Sequence, residues 1–300
     1  MKKFLSVLMA GAMLFGVLTL AGCGDTTEPA AEEGTTTEDT TTAEFTTVTE
    51  GVLTMSTNAA FPPYEMTDDS GNIVGIDAEI AAAIAEKLGL ELQIDDMDFD
   101  GALAAPQSGK SDIVMAGVTV NEERQLVLDF SNTYANGVQK VIVAEGSDIT
   151  MENLGEQQIG TQKGTTGNIL TTDEFGEDHV IAYDDAIAAV QALNNGQIDC
   201  VVIDSAVADN LVEANPGLTT LDTDYANEEY AIGVAKGNTA LLDAINTALQ
   251  ELIDDGTVQS IIDKYIPTDG TAADEAGTTD EAGATDEAGA TDGAEADTAA

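Results

Sequence analysis

Basic side chains are scarce in this 300-residue chain: nine Lys and Arg stand against 56 Asp and Glu, a formal net charge of −47. Such a surface repels nucleic acid and anionic lipid, so neither is an expected partner; cationic solutes would be drawn toward it. Histidine occurs once, as His179, with no second His or Cys beside it. A His-based metal centre, or a Ser-His-Asp or Cys-His relay, would have to be assembled around that single residue, so no metal, cofactor or catalytic role is expected. Cysteine occurs twice. Arginine occurs once, as Arg124, which makes its setting worth close reading.

The acids are unevenly placed. Eighteen lie in residues 24–50 and 268–300, which contain no base, leaving thirty-eight between 51 and 267 against seven Lys and Arg. The stretch 24–50 is rich in Thr and Glu, and 267–300 repeats Thr-Asp-Glu-Ala-Gly-Ala with drift. Neither holds enough apolar surface to offset the entropy of ordering, so both are expected to be disordered. The first reads as a stalk. The second reads as a solvating acidic tail, with binding of cations or cell-wall material as the alternative.

One long apolar run exists, Phe4 to Leu20, preceded by Lys2 and Lys3 and followed by Leu20-Ala21-Gly22-Cys23. Its length approaches the ~18 residues of a spanning helix. A basic start and small residues directly before a cysteine instead match a lipoprotein signal peptide, residues 1–23, with its lipobox. Cys23 would then carry the lipid and hold the chain on the extracytoplasmic face of the cell membrane without spanning it. That leaves Cys200 alone in an apolar run, an inert buried thiol by default.

About 217 residues remain, enough for two modest lobes. Strand-like runs fall at 51–56, 91–95, 112–116, 139–143, 158–161, 200–204 and 230–235. Helical patterns fall at 77–88, 184–193, 205–212, 240–252 and 257–265. In the first, Ile80, Ala83, Ile84 and Leu88 share a face, with Asp77 as the N-cap. Alternating apolar strands and helices predict an α/β fold with largely parallel sheets covered on both faces. Pro106 should shorten or kink any helix that starts near Phe99, because an interior proline costs ~3 kcal/mol.

Three local patterns carry chemistry. Arg124 closes Ala-Gly-Val-Thr-Val-Asn-Glu-Glu-Arg; its planar fork matches a carboxylate in two parallel hydrogen bonds. The bland alternative is an ion pair with Glu122 or Glu123. Asp204 ends Ile-Asp-Cys-Val-Val-Ile-Asp, at the C-terminal end of a strand, where open α/β sheets place ligand-binding groups. It can equally cap the next helix. Lys163-Gly-Thr-Thr-Gly-Asn168 joins a strand to a helix start, whose free N–H groups suit an anion; it lacks the Gly-x-x-x-x-Gly-Lys-[Ser/Thr] phosphate loop. A guanidinium and a carboxylate facing one cleft suit a free α-amino acid.

These patterns, with Thr-Asn-Ala-Ala-Phe-Pro-Pro-Tyr-Glu at 57–65, resemble the polar amino-acid-binding proteins of ABC importers, extracellular solute-binding protein family 3, over residues 51–266. The resemblance implies a two-lobed, periplasmic-binding-protein-like fold of type II, with the ligand cleft between lobes joined by a two-segment hinge. Lobe 1 would be 51–135 plus 235–266 and lobe 2 would be 140–230, with crossovers near 136–139 and 229–234. It implies that Arg124, Thr119 and Thr166, with Thr165 beside it, hold the α-carboxylate, and that Asp204 and the Gly117 carbonyl hold the ammonium. Phe61 and Phe99 would sandwich the side chain. Asn58 and Gln162 are neutral amides where relatives carry charge, which favours a polar or small neutral cargo. The implied partners are a free amino acid and a membrane permease, with the chain a monomer. The alternatives are a module reporting to a membrane receptor and, on the same fold, a prephenate-type dehydratase, for which the basic residues are too few.

Overall fold

In a computed structural model, which describes residues 45–267, the chain begins with strand β1 (Val52–Thr57) and a small three-stranded sheet of β2 (Ala60–Phe61), β3 (Glu65–Thr67) and β4 (Ile73–Val74). Helix α1 (Ile76–Leu88), strand β5 (Glu91–Asp96), helix α2 (Phe99–Ala104) and strand β6 (Ile113–Val114) follow. Then comes β7 (Leu128–Ala144), 17 residues long. The next stretch alternates β8 (Ile159–Gln162), α3 (Thr166–Phe175), β9 (Val180–Tyr183), α4 (Ala186–Asn194), β10 (Cys200–Asp204) and α5 (Ser205–Ala214). A short β11 (Leu218–Thr220) and a long β12 (Ala226–Ala235) lead back to helices α6 (Thr239–Asp254) and α7 (Thr257–Tyr265). The leader 1–23 with Cys23, residues 24–44 and the tail from 268 lie outside the described residues. Residues 45–50 belong to the folded part: the Val48 N–H donates to Asp112 Oδ1 at 2.6 Å, and Phe45 packs on the core.

Two groups of parallel strands stand at either end of one sheet. Strand β1 pairs in parallel with β5 and β6, and β8 pairs in parallel with β9 and β10. Between them run β7 and β12, antiparallel to each other from Ala226↔Gln139 to Ala235↔Leu128. Each is also antiparallel to its outer neighbour, β10 beside β7 and β6 beside β12. The result is a two-lobed α/β architecture whose connections form a single ribbon, and residues 136–139 and 229–234 fall on it.

The ribbon departs from the largely parallel sheet expected from sequence. Its strands read as 139–143 and 230–235, yet they begin at Leu128 and Ala226. The first part of β7, Leu-Asp-Phe-Ser-Asn-Thr-Tyr-Ala-Asn-Gly, carries Asp, Asn and Gly, which are poor strand formers. Cross-strand pairing overrides that local preference. Register shifts at Tyr230–Ala231 and Ala231–Gly233 add local irregularity where the ribbon passes between the two groups.

Helix α1 is also corrected at its start. Ile76, Ile80 and Ile84 are fully buried at a four-residue spacing, and Gly89 ends the helix in the left-handed region, its N–H reaching back to Ala85 and Glu86. The N-cap, however, is Gly75 with no side-chain bond, not Asp77. Asp77 lies inside the first turn and points inward, where its Oδ2 accepts the Gly117 N–H at 2.9 Å. Helix α2 stops at Ala104, two residues before Pro106, with Asp98 capping it through the Gly101 N–H.

Gly75 has φ 128°, and a Cβ there would sit 2.3 Å from the Tyr64 carbonyl oxygen. Gly75→Ala should therefore destabilise the fold by about 2 kcal/mol or more, from backbone strain and displacement of the Tyr64 segment. Urea unfolding of the purified chain checks this; an unchanged midpoint would show that the segment yields freely.

Candidate functional site

Arg124 opens a single 3-10 turn, Arg124–Leu126, positioned by its own N–H bonding to Asn121 Oδ1. The side chain is only 6% exposed. Its Nη1 donates to the Thr119 carbonyl at 2.8 Å, its Nη2 donates to the Gly164 carbonyl at 3.1 Å, and the guanidinium lies 5.3 Å from the Phe99 ring centre. Among the described residues no carboxylate approaches it within 4 Å, so the ion pair with Glu122 or Glu123 does not form. Burial lowers the proton affinity of the guanidinium, and the Glu228 charge acts the other way. A guanidinium remains protonated regardless. The site therefore holds a desolvated positive charge satisfied only by two carbonyl dipoles.

Arg124 lines a small, nearly filled cavity of about 10 Å³ together with Asn58, Phe61, Phe99, Gly117, Thr119, Gln162, Thr165 and Thr166. Nine of the ten residues singled out from sequence thus meet around one space. Gly117 adopts φ 53°, and a Cβ there would press on the Phe61 ring at 2.9 Å, so glycine lets that ring stack against the strand end. Thr165 is occupied as the N-cap of α3, donating to the Gln162 carbonyl and accepting from the Asn168 N–H. Thr166, first residue of that helix, instead directs its hydroxyl across the cavity, donating to Thr119 Oγ1.

The tenth residue is placed differently. Asp204 is 0% exposed and does not reach the cavity wall. Its Oδ1 caps α5 by accepting the Ala206 and Val207 N–H groups, so the capping alternative holds. Its Oδ2 accepts the Tyr230 hydroxyl at 3.0 Å. The carboxylate at the wall is Glu228, which lies 3.1 Å from the same hydroxyl, accepts from the Thr119 hydroxyl at 2.7 Å and accepts from Gln139 Nε2. Glu228, Tyr230, Gln139 and Glu65 were missed from sequence. Glu228 and Tyr230 stand two apart in an alternating strand, the spacing that puts both on one face.

Besides the Thr119–Glu228 bond, residues 51–135 are joined to residues 140–230 by Gln162 Nε2 to Asn58 Oδ1 at 2.9 Å, Thr166 Oγ1 to Thr119 Oγ1 at 3.0 Å, Arg124 to the Gly164 carbonyl, and Lys163 to Asp100 at 2.6 Å. The last is exposed and worth at most about 1 kcal/mol. Asn58 and Gln162, read from sequence as selecting a neutral cargo, thus spend polar groups on each other, and Asn58 also donates to the Met97 carbonyl. His179 and Cys200 take no part; burial pushes the Cys200 thiol up to about 12. Among the described residues no group of three His, Cys, Asp or Glu is placed to hold a metal ion.

Burial raises the Asp204 carboxyl from its ordinary 3.8 to about 6, with the Glu228 charge adding to the rise and the Val207 N–H opposing it. Between those values the folded chain holds a proton that the unfolded chain has lost, so Asp204 makes stability fall as pH rises through that window. The unliganded protein should melt higher at pH 5 than at pH 7.5, and Asp204→Asn should flatten part of that slope. Calorimetric scans across the range check this; identical slopes in both proteins would remove Asp204 from the account.

Residues 53–268 match the model of the bacterial extracellular solute-binding proteins, family 3. The chain is 30% identical to the "Probable histidine-binding protein" of Neisseria gonorrhoeae, over 91% of this chain and 98% of that one. It is 31% identical to the L-cystine-binding protein TcyJ of Escherichia coli K12, over 74% and 85%. Its structure is similar to that of an ancestral arginine-binding protein bound to glutamine, with a TM-score of 0.69 and 39% identity over 73% and 99% of the two chains.

Proposed function

Because the chain belongs to the bacterial extracellular solute-binding proteins of family 3, we propose that it captures a free α-amino acid between its lobes and presents the closed form to an ABC-type membrane permease. The fold is the two-lobed type II binding-protein fold, and amino-acid binding for ABC transport is the role of its relatives. The observation that carries the residue assignments is Arg124, a buried cation at the cavity wall with only carbonyl partners.

Lobe 1 is 51–135 with 235–266, and lobe 2 is 140–230. Arg124 takes the ligand carboxylate in a two-point bond, helped by the hydroxyls of Thr119 and Thr166 and the N-terminal amides of α3. The ammonium is received by Glu228 and the Gly117 carbonyl, with Asp204 one hydroxyl behind, through Tyr230. Phe61 and Phe99 flank the side chain. Arg124 and Thr119 belong to one lobe, and Thr166 and Asp204 to the other, so a zwitterion satisfies both sets only when the lobes meet. Ligand therefore favours closure by differential contact, as any population shift requires. Relatives named for histidine, cystine and arginine support an amino acid as cargo. The monomer is held at the extracytoplasmic face by a lipid on Cys23. The family supports binding over catalysis, and the receptor-reporting alternative uses the same chemistry with a different partner.

Arg124→Ala removes one partner of a buried charge pair, which costs about 2–5 kcal/mol. Titration calorimetry should show at least a 30-fold loss of affinity for the cognate amino acid, with the far-UV spectrum unchanged; affinity within tenfold of the parent would sink the assignment. Separately, Cys23→Ser should move the chain from the membrane fraction to the medium. Unchanged membrane retention would contradict a lipid anchor at that residue.

A further inference from the structure

One backbone group in the cavity wall is held by a carboxylate from outside its own sheet. The segment 115–118 runs past the end of β6. At its start the Met115 N–H donates to the Ser56 carbonyl at 3.2 Å, and at its end the Val118 carbonyl accepts the Ala231 N–H at 3.1 Å. Between these bonds Gly117 turns out of the strand with φ 53°, and its N–H meets Asp77 Oδ2 on α1 at 2.9 Å. Among the described residues nothing donates to the Gly117 carbonyl. The wall that Arg124 and Glu228 also line thus includes an unused acceptor, and a fully buried side chain fixes the peptide just before it.

We propose, building on the binding role above, that Asp77 is a positioning residue for the ligand ammonium: its hold on the Gly117 N–H sets the backbone so that the Gly117 carbonyl meets the ammonium. Glu65, from β3, and the Tyr134 hydroxyl, from β7, both hydrogen-bond to Asp77. Asp77 thus gathers three donors, the surroundings that favour an ionised carboxylate. Burial first, and then Asp77, hold the Glu65 carboxyl well above the usual carboxylate range, so Glu65 carries the proton of the pair and donates it. Burial raises Asp77 to about 6, with the Gly117 N–H, Tyr134 and Glu65 pulling the other way. The other titratable groups around the pair are Asp204 from β10, Asp96 from the end of β5, Glu228 from β12 and Tyr64. None is cationic, so one shared proton is what lets two carboxyls occupy this place.

The action is indirect, because Gly117 lines the cavity and Asp77 does not. Glycine has the widest backbone range of any residue, and without an acceptor its buried N–H would gain by turning elsewhere. The carbonyl on its far side would turn with it. A ligand that has the carboxylate but no ammonium makes no use of that carbonyl and should be indifferent to Asp77. General loss of packing would weaken both kinds of ligand alike, and this difference separates positioning from a purely structural role. Sequence placed Asp77 as a helix cap and so gave no hint of it.

The test is calorimetric titration of the full chain with L-arginine, L-glutamine and L-histidine, each beside its desamino counterpart, in the parent, Asp77→Ala and Asp77→Asn. In the parent the best-bound amino acid should exceed its desamino counterpart ~100-fold or more. Asp77→Ala should cut that ratio about tenfold, chiefly through the amino acid. Asp77→Asn, whose amide oxygen can still accept the Gly117 N–H, should keep the ratio within about threefold of the parent. A ratio unchanged in Asp77→Ala, or equal losses for both ligands, overturns the inference. If Asp77→Ala does not fold, exchange of the Gly117 amide in the parent decides: extra protection with the amino acid and not with the desamino ligand supports the role, and equal or no extra protection overturns it. An amino acid that still depends on Arg124 but not on Asp77 leaves the binding function standing; if no amino acid binds, both readings fall.

Discussion

The structure is arranged around ionisable groups that have been taken out of water with few partners. Arg124 keeps two carbonyls, Glu228 and Asp204 flank one tyrosine hydroxyl, and Glu65 faces Asp77. Removing an ion from water carries a penalty of several kcal/mol even after relaxation. The direct bonds that close the cavity are few, and neutral ones such as Gln162–Asn58 contribute about 0.5–1.5 kcal/mol each. Closure without ligand is thus a near balance of small gains and comparable penalties. A ligand of complementary charge removes the penalties and leaves the gains, which is how a binding protein can make its shape report its occupancy.

The β7–β12 ribbon ties that balance to the fold. Gln139 and Gly137 lie on one strand, Glu228 and Tyr230 on the other, and all four meet Asp204 or its partners. A Cβ on Gly137 would lie 2.5 Å from Asp204 Oδ2 and 2.9 Å from the Tyr230 hydroxyl. The backbone of the connecting strand is therefore itself part of the charged site. Any change in lobe angle bends strands at the place where the two carboxylates share their donor.

What sequence revealed of this site was what sits in a local signature. Arg124 was legible because it is the only arginine and ends a recognisable segment, and Thr165 and Thr166 because a small-residue turn precedes a helix. Phe61 and Phe99 were placed by their neighbours. Glu228 was obscured because the strand-like run was placed at 230–235 and so began after it, and an acid in an acid-rich chain carries no signal by itself; Tyr230 opened that run without any local mark of a site residue. Asp77 looked like a helix cap since it stands at the start of an apolar periodicity. Its real partner, the Gly117 N–H, is 40 residues away, and no local pattern encodes that pairing. The parallel strand groups followed from apolar runs, whereas the ribbon did not, because its stability comes from pairing across about ninety residues of chain.

Two kinds of negative charge act on a cationic solute here, and they differ in what they decide. The formal charge of −47 is spread over the whole chain, eighteen of its acids near the two ends. In physiological salt such charges are screened beyond about 8 Å, so they raise the rate of encounter for any cation and weaken as ionic strength rises. Glu65 and Asp77 are fully buried, where screening by salt is small. Encounter is therefore set by the surface, whereas the buried carboxyls act only on a solute already inside the cavity, and that action persists at salt concentrations that abolish the steering.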